Sequence, residues 1–367
     1  ATPAPRGHLK PTLAQARDTR VVVSPHVGEL ETPRSNDVFK QVIKDIQSLY
    51  DVNSQAIVCD LHPGYASSRW AEQQNLPMVR VQHHAAHASS LAGEHPDIGN
   101  WLVFTWDGVG YGSDGTLWGG EALAGKPGGW DRVASFRIFK LVGGDKAGRE
   151  PWRSAAALLW ESGLAADGLL TLKGEDSSGP GDEALGLAHQ GWKHEINTFE
   201  TSAAGRLFDA AAALVLGRHT ASFEGQGPME LEHIAIDDCE AVPLPLARDA
   251  AGLLRSDWAQ LLGVLADRDL STAQRAGIFH ETMAQALIDQ ALEVRMTREF
   301  DAIGLSGGEF QNRRLTESVL ERAKEQGIEV RLHRDIPAND GGLCFGQVIE
   351  AAAVMSKEQQ AGNNNGR

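Results

Sequence analysis

This chain is short of cysteine, of basic charge and of long apolar runs, and each shortage excludes something. Its three cysteines, Cys59, Cys239 and Cys344, cannot all pair, and none belongs to a Cys-x-x-Cys. A disulfide scaffold and a Cys-based zinc finger are therefore out, a reducing cytoplasmic setting is expected, and each thiol reads as a small core residue. Only 34 Lys and Arg stand against 49 Asp and Glu, a formal charge of −15. A sequence-independent grip on nucleic-acid backbone needs clustered cations, so nucleic acid is not expected as a partner. No stretch approaches the roughly 18 apolar residues that cross a bilayer, and no basic-then-apolar leader opens the chain, so no membrane partner is expected. Walker Gly-x-x-x-x-Gly-Lys-Ser/Thr and Rossmann Gly-x-Gly-x-x-Gly are both missing, which weakens the commonest nucleotide folds.

What is present is an alternation of short apolar runs and amphipathic stretches, long enough at 367 residues for two cores. The first half reads as a strand pair (Gly7–Lys10 and Thr19–Val23), a helix from Asn36 to Leu49, a strand Ala56–Asp60, a helix near Tyr65–Gln74 and a strand Pro77–Val81. After a linker at Glu94–Gly99 the pattern restarts. Trp101–Thr105 runs into a Gly-rich turn, Leu117–Leu123 returns beside it, and Val133–Phe139 adds a third strand. The restart is a faint internal duplication. Beyond it come a loop or insertion over Gly174–Gly186, an Ala-rich helix ending near Gly217, and long helices over about 256–267 and 272–299. A strand Asp301–Leu305, a helix Arg313–Glu325, a strand Glu329–Leu332 and a closing helix over about Gly341–Met355 complete the chain. The expected organisation is a first lobe over 1–97, a second over 98–357 and a disordered tail over 358–367.

Chemistry concentrates in a few stretches. In Val79-Arg-Val-Gln-His-His-Ala-Ala-His87 a strand gives way to a helix start, and His83 and His87, four apart, share one helical face. Two imidazoles so placed can share a divalent cation; the plain alternative is a His-rich helix start in solvent, and His84 projects elsewhere. Asp107-Gly-x-Gly-x-Gly reads as a turn where a strand releases a carboxylate and glycines let backbone approach an anion, or simply as a hairpin turn. Leu305-Ser-Gly-Gly308 repeats that device, so Ser306, Gly307, Gly308 and the helix-starting Asn312 suit the phosphates, ribose or base of a nucleotide. Asn339-Asp340-Gly-Gly342 adds a third carboxylate. His83, His87, Asp107 and Asp340 would make a mixed N/O shell suited to zinc or iron. A duplicated domain with two phosphate turns points to the two-lobed actin-like ATPase fold of actin, sugar kinases and heat-shock ATPases, an α/β architecture of duplicated mixed sheets.

Together with Cys59-Asp-Leu-His-Pro63, Ser68-Arg-Trp-Ala71, Arg149-Glu-Pro-Trp-Arg153, Gly205-Arg-Leu-Phe-Asp-Ala210, Phe223-Glu-Gly-Gln226 and Ser306–Arg313, these stretches resemble one family. It is the C-terminal, carbamoyl-transferring domain of the HypF family, the [NiFe]-hydrogenase maturation carbamoyltransferases, over about residues 7–355. The resemblance implies that carbamoyl phosphate and ATP, the latter with Mg2+, yield carbamoyl-adenylate. The carbamoyl group then passes to the C-terminal cysteine of a HypE-type acceptor for cyanide ligand synthesis. It also implies a metal on His83, His87, Asp107 and Asp340, and a nucleotide site lined by Gly205, Asp209, Glu224, Gly308 and Asn312. Whole family members also carry an acylphosphatase-like region, zinc fingers and an adenylate-forming domain. None of these is expected here, so the chain reads as an excised domain or a short form. Ala85, Pro11 and Glu309 depart from the family pattern, Glu309 replacing an apolar residue. The alternatives are the related tRNA threonylcarbamoyl-transfer subunit, or a non-catalytic scaffold that docks HypE.

Overall fold

The computed structural model describes residues 12–364 except 29, 31, 167–169 and 171–178. Within these, eleven α-helices and thirteen strands form a two-lobed actin-like α/β fold. The strands are β1 Ala14–Arg17, β2 Arg20–Val23, β3 Ile57–Asp60, β4 Met78–Val81, β5 Trp101–Tyr111, β6 Leu117–Lys126, β7 Gly129–Phe136, β8 Phe139–Val142, β9 Thr198–Thr201, β10 Leu246–Arg248, β11 Leu254–Ser256, β12 Ala302–Ser306 and β13 Val330–Arg331. The helices are α1 Pro33–Leu49, α2 Ala66–Glu72, α3 His83–Glu94, α4 Trp152–Glu161, α5 Asp182–Lys193, α6 Ala204–Leu216, α7 Gln226–Ile234, α8 Leu261–Ala266, α9 Thr272–Arg295, α10 Arg313–Glu325 and α11 Leu343–Asn364.

β5 is the axis of the larger lobe. It pairs antiparallel with β6 on one side and parallel with β12 on the other, inside a nine-stranded mixed sheet. Successive side chains alternate between faces. Leu102, Phe104 and Trp106 enter the large core with α6 and α9, while Trp101 and Val103 enter a smaller core with Ala88 and Leu91 of α3. Both faces are covered, and this is why the sequence of β5 reads as a continuous apolar run. The two sheets expected from the duplication are unequal. Among the described residues the first lobe holds only the antiparallel pair β1–β2 and the parallel pair β3–β4.

Several boundaries differ from the sequence reading. The partner of β2 is Ala14–Arg17, joined through Asp18 in the left-handed region (φ 53), whereas Gly7–Lys10 lies outside the described residues. α1 begins at Pro33 because Thr32 caps it, its hydroxyl accepting from Ser35 N–H at 3.1 Å; Asn36 bonds back to the carbonyl of Leu30 instead. α5 begins inside the stretch read as a loop, of which 174–178 lie outside the described residues. α11 continues to Asn364, into the stretch read as a tail, and 365–367 are not described. That last helix packs against α3 and also against β1, β3 and β4, so the chain's end returns to its beginning. No helix among the described residues is long and apolar enough to cross a membrane.

Candidate functional site

α3 sits between the sheet and α11, buried on all sides, and its composition permits this. Ala86, Ala88 and Ala92 let the helix lie close to its neighbours, and Gly346 of α11 leaves room for the Ala86 carbonyl. Gln82 caps the helix, its side-chain oxygen accepting from Ala85 N–H at 2.8 Å. His83 and His87 then face one way from the first turns, both buried.

Asp107 reaches them from β5 by a device the sequence does not show. The strand does not end in a Gly-rich turn there. It continues to Tyr111, and its register with β6 breaks between Trp106 and Gly110. This bulge turns Asp107 out of the ladder toward α3. The hairpin turn comes later, where Gly112 N–H donates to the Thr116 carbonyl. Asp340 arrives from the opposite side, in a 3-10 turn capped by Asn339 immediately before α11.

The four side chains converge. His87 Nε2 lies 3.4 Å from Asp107 Oδ2 and 3.4 Å from Asp340 Oδ1, and His83 Nε2 lies 3.4 Å and 3.7 Å from the same oxygens. One ligand atom from each residue falls within 4.8 Å of every other. A tetrahedral ion with bonds of about 2.0–2.1 Å separates its ligands by about 3.3 Å, so the spacing fits. His87 Nε2 and Asp340 Oδ1 are buried and make no hydrogen bond among the described residues, an arrangement costly unless something binds there. The charges agree. Burial works against a charged His83, yet Asp107 and Asp60 hold its pKa well above the usual histidine value; His87, likewise buried, is raised by Asp107 and Asp340. Burial also opposes charge on Asp107, but the two imidazoles depress its pKa well below the carboxylate range, while burial and the neighbouring Asp107 raise that of Asp340. Without an ion, shared protons hold the cluster together.

His84 stands apart, as its position on the helix requires. It is fully buried, burial and the adjacent imidazoles keep it neutral, and its Nε2 lies 3.8 Å from Glu121. Glu121 itself is held by Arg132 at 2.9 Å and by the Ser202 hydroxyl.

The residues read as nucleotide-binding divide into two groups. Gly205 and Asp209 share a face of α6 at its start. A Cβ on Gly205 would stand 2.7 Å from Gly108 Cα, 2.7 Å from Glu309 Oε1 and 3.2 Å from the Asp107 carbonyl oxygen, so α6 abuts the Asp107 bulge. Asp209 is buried, which raises its pKa, and faces Arg206 at 2.7 Å. Gly307 adopts φ 110, where a side chain would collide with the Trp106 carbonyl, and Gly308 N–H donates to Asp107 Oδ1 at 3.3 Å. Glu224 is exposed, just before α7, and Phe223 and Gln226 on either side of it line a cavity of about 980 Å³. Ser306 and Asn312, by contrast, direct their polar groups into the protein. The Ser306 hydroxyl contacts the His87 carbonyl at 3.0 Å and His333 Nε2 at 2.9 Å. Asn312 caps α10 by accepting from Leu315 N–H at 2.9 Å, while its amide nitrogen meets His280 Nε2, also at 2.9 Å.

Sequence reasoning missed three contributors. Asp60, at the end of β3, places Oδ2 3.1 Å from His83 Nδ1; the clue was a carboxylate at the end of a buried-type strand. Arg206 is a cation beside the Asp107 bulge, and nothing local singled it out. Glu309, noted only as a departure, lies against Gly205. Burial, then Asp107 and Asp209, push its pKa up to about 8.

Comparison with known proteins identifies the family. Residues 4–94 match the family model described as the HypF Kae1-like domain, and residues 103–347 match the one described as carbamoyltransferase, Kae1-like domain, second subdomain. The chain is 37% identical to a carbamoyltransferase HypF of Rhodobacter capsulatus (95% of this chain, 46% of that one) and 34% identical to one of Synechocystis (94% and 46%). It thus spans about half the length of these relatives. It is also 32% identical to a carbamoyltransferase HypF homolog of Cupriavidus necator, over 94% of this chain and 89% of that one. Among solved structures it is similar to full-length HypF in a phosphate- and nucleotide-bound form, with a TM-score of 0.85, 28% identity, and coverage of 93% of this chain and 53% of that one. Matched by these two models over nearly its whole length, the chain belongs to the HypF family and comprises its Kae1-like domain.

Proposed function

We propose that this chain is a metal- and nucleotide-dependent carbamoyl-transfer domain. It accepts carbamoyl-adenylate, formed from carbamoyl phosphate and ATP, and passes the carbamoyl group to the C-terminal cysteine of a HypE-type acceptor. The observation that carries this reading is the convergence of His83, His87, Asp107 and Asp340, two of whose ligand atoms are buried without a hydrogen bond, beside the Ser306–Gly308 turn. The four side chains would hold zinc or iron. When bound, the ion supplies a Lewis acid beside the nucleotide phosphates.

The chain's own groups do the rest. Gly205 and Gly307 let α6 and the Ser306–Gly308 turn close against β5 at the Asp107 bulge, and Gly308 leaves room there for phosphate oxygens. Arg206 offsets charge on the departing AMP, and Asp209 and Glu224 hold the ribose, with the neighbouring cavity taking the base. Ser306 and Asn312 shape the site from behind. The acceptor's thiolate attacks the carbamoyl carbon, the bond to the adenylate phosphate oxygen breaks, and AMP leaves with that electron pair. No thiol of this chain suits an intermediate role. Burial raises the pKa of all three, that of Cys344 to about 11, and its sulfur is tied to Thr12 at 3.1 Å.

The test combines the chain with an adenylate-forming domain, carbamoyl phosphate, ATP and HypE, and follows every cysteine by mass spectrometry. Carbamoylation of HypE's terminal cysteine alone supports direct transfer. A stable adduct on Cys59, Cys239 or Cys344 refutes it, and an unmodified HypE in every mixture leaves the scaffold reading.

A further inference from the structure

Behind His87 lies a chain of polar groups that the transfer reaction does not use. Ser306 Oγ is 3.5 Å from His87 Nδ1 and 2.9 Å from His333 Nε2, and His333 Nδ1 is 2.8 Å from Glu94 Oε2. Serine, histidine and glutamate in that order would suit a nucleophile, but Ser306 is wholly buried, out of reach of a substrate.

The direction of the protons points elsewhere. The backbone N–H groups of Arg334, Asp335 and Ile336 donate to the Glu94 carboxylate. Glu94 therefore acts as acceptor, and His333 Nδ1 carries the proton between them. Burial keeps His333 neutral, so its Nε2 accepts from the Ser306 hydroxyl. The Ser306 oxygen is then left to accept from His87 Nδ1–H, and His87 turns Nε2 toward Asp107 and Asp340, where an ion would replace the shared protons. His83 is served in the same way, directly, by Asp60. A carboxylate behind each histidine is the arrangement that fixes ring orientation in metal centres. The competing geometry has Ser306 donating to the His87 carbonyl at 3.0 Å.

Glu94 acts a second time. Its three backbone contacts pin the start of the loop that ends in Asp340. α3 thus presents two ligands from its first turns and, from its last residue, clamps the segment that delivers another.

We propose that Glu94 and His333 are positioning residues of the metal site, setting the tautomer of His87 through Ser306, with Glu94 also holding the Asp340 loop in place. This rests on the metal reading above. Nitrogen-15 NMR of the histidine rings in the unaltered, metal-free chain, taken at a pH high enough for His87 to be neutral and assigned from a His87→Gln variant, reads the tautomer without disturbing the site. Nδ1–H is expected, and Nε2–H overturns the proposal whether or not any variant folds. Zn2+ and Co2+ are then titrated against a chromogenic chelator in Glu94→Gln and His333→Phe. Binding about 10- to 100-fold weaker, with an altered visible spectrum of bound Co2+, is expected. Unchanged affinity and spectrum in both variants overturn the proposal. His87→Gln separates the two failures. If it alone loses metal, the site stands and the positioning fails; if it too binds as wild type, the metal reading itself is wrong.

Discussion

Asp60, the last residue of β3, sets its Oδ2 3.1 Å from Nδ1 of His83, the first residue of α3. Its other carboxylate oxygen accepts from His62 N–H at 2.7 Å, which fixes the carboxylate in place. Asp60 therefore holds the His83 ring with its other nitrogen toward Asp107 and Asp340. Removing it should loosen the site without removing a ligand.

Metal content tests this. The chain is expected to bind one first-row divalent ion, and His83→Ala/His87→Ala to bind none. Asp60→Asn should retain the ion with affinity lowered about 10- to 100-fold. Elemental analysis after dialysis reads all three; equal metal in wild type and the double variant would place the ion elsewhere.

Nucleotide affinity should depend on the α6 face and the Ser306–Gly308 turn. Asp209→Ala is expected to weaken ATP binding on the order of tenfold or more, the range for a hydrogen bond to a charged group. Gly308→Val should weaken it further, since an added Cβ begins 3.0 Å from Asp107 Oδ1 and fills space meant for the ligand. Calorimetry with both variants unchanged would show that the site is misplaced.

Glu309 gives the metal-free chain a pH dependence. Its pKa rises from 4.5 in the ordinary carboxyl to about 8 in the fold. The folded chain therefore binds this proton more tightly than the unfolded chain, and stability is lost as pH climbs from 4.5 through 8. Glu309→Gln should remove that loss, being more stable than wild type at pH 9 and losing the advantage toward pH 5. Urea denaturation that shows the same gap at both pH values would mean that Glu309 is not desolvated.

Two glycines with positive φ should answer differently to alanine. Gly307 combines φ 110 with a collision against the Trp106 carbonyl, whereas Gly115 has φ 82 and open space around it. Gly307→Ala should destabilise by roughly 2–4 kcal/mol, and Gly115→Ala by about 1 kcal/mol. Thermal unfolding that ranks them the other way would contradict the placement of the Ser306–Gly308 turn.

Much of this was written locally, in the chain itself. The i, i+4 spacing of His83 and His87 follows from helical geometry once Ala-rich sequence makes α3 a helix. Apolar runs mark β5 and β12, because a strand covered on both faces must be largely apolar. Gly307 could be read because its left-handed backbone, at φ 110, favours glycine. The motifs also carried the family, since they recur as whole phrases rather than as single residues.

Tertiary structure alone decided the rest. The bulge that aims Asp107 depends on where β5 slips against β6, a property of pairing that neither strand encodes by itself. Ser306 and Asn312 looked like ligands because their residue types suit nucleotides. Only the positions of His333 and His280 show that their polar groups are already engaged. Asp60 lies 23 residues from His83, and Glu94 and His333 lie 7 and 246 residues from His87; nothing in the order of the chain marks them as partners. A buried hydrogen bond forms wherever packing brings donor to acceptor, and packing is a property of the folded chain, not of its order.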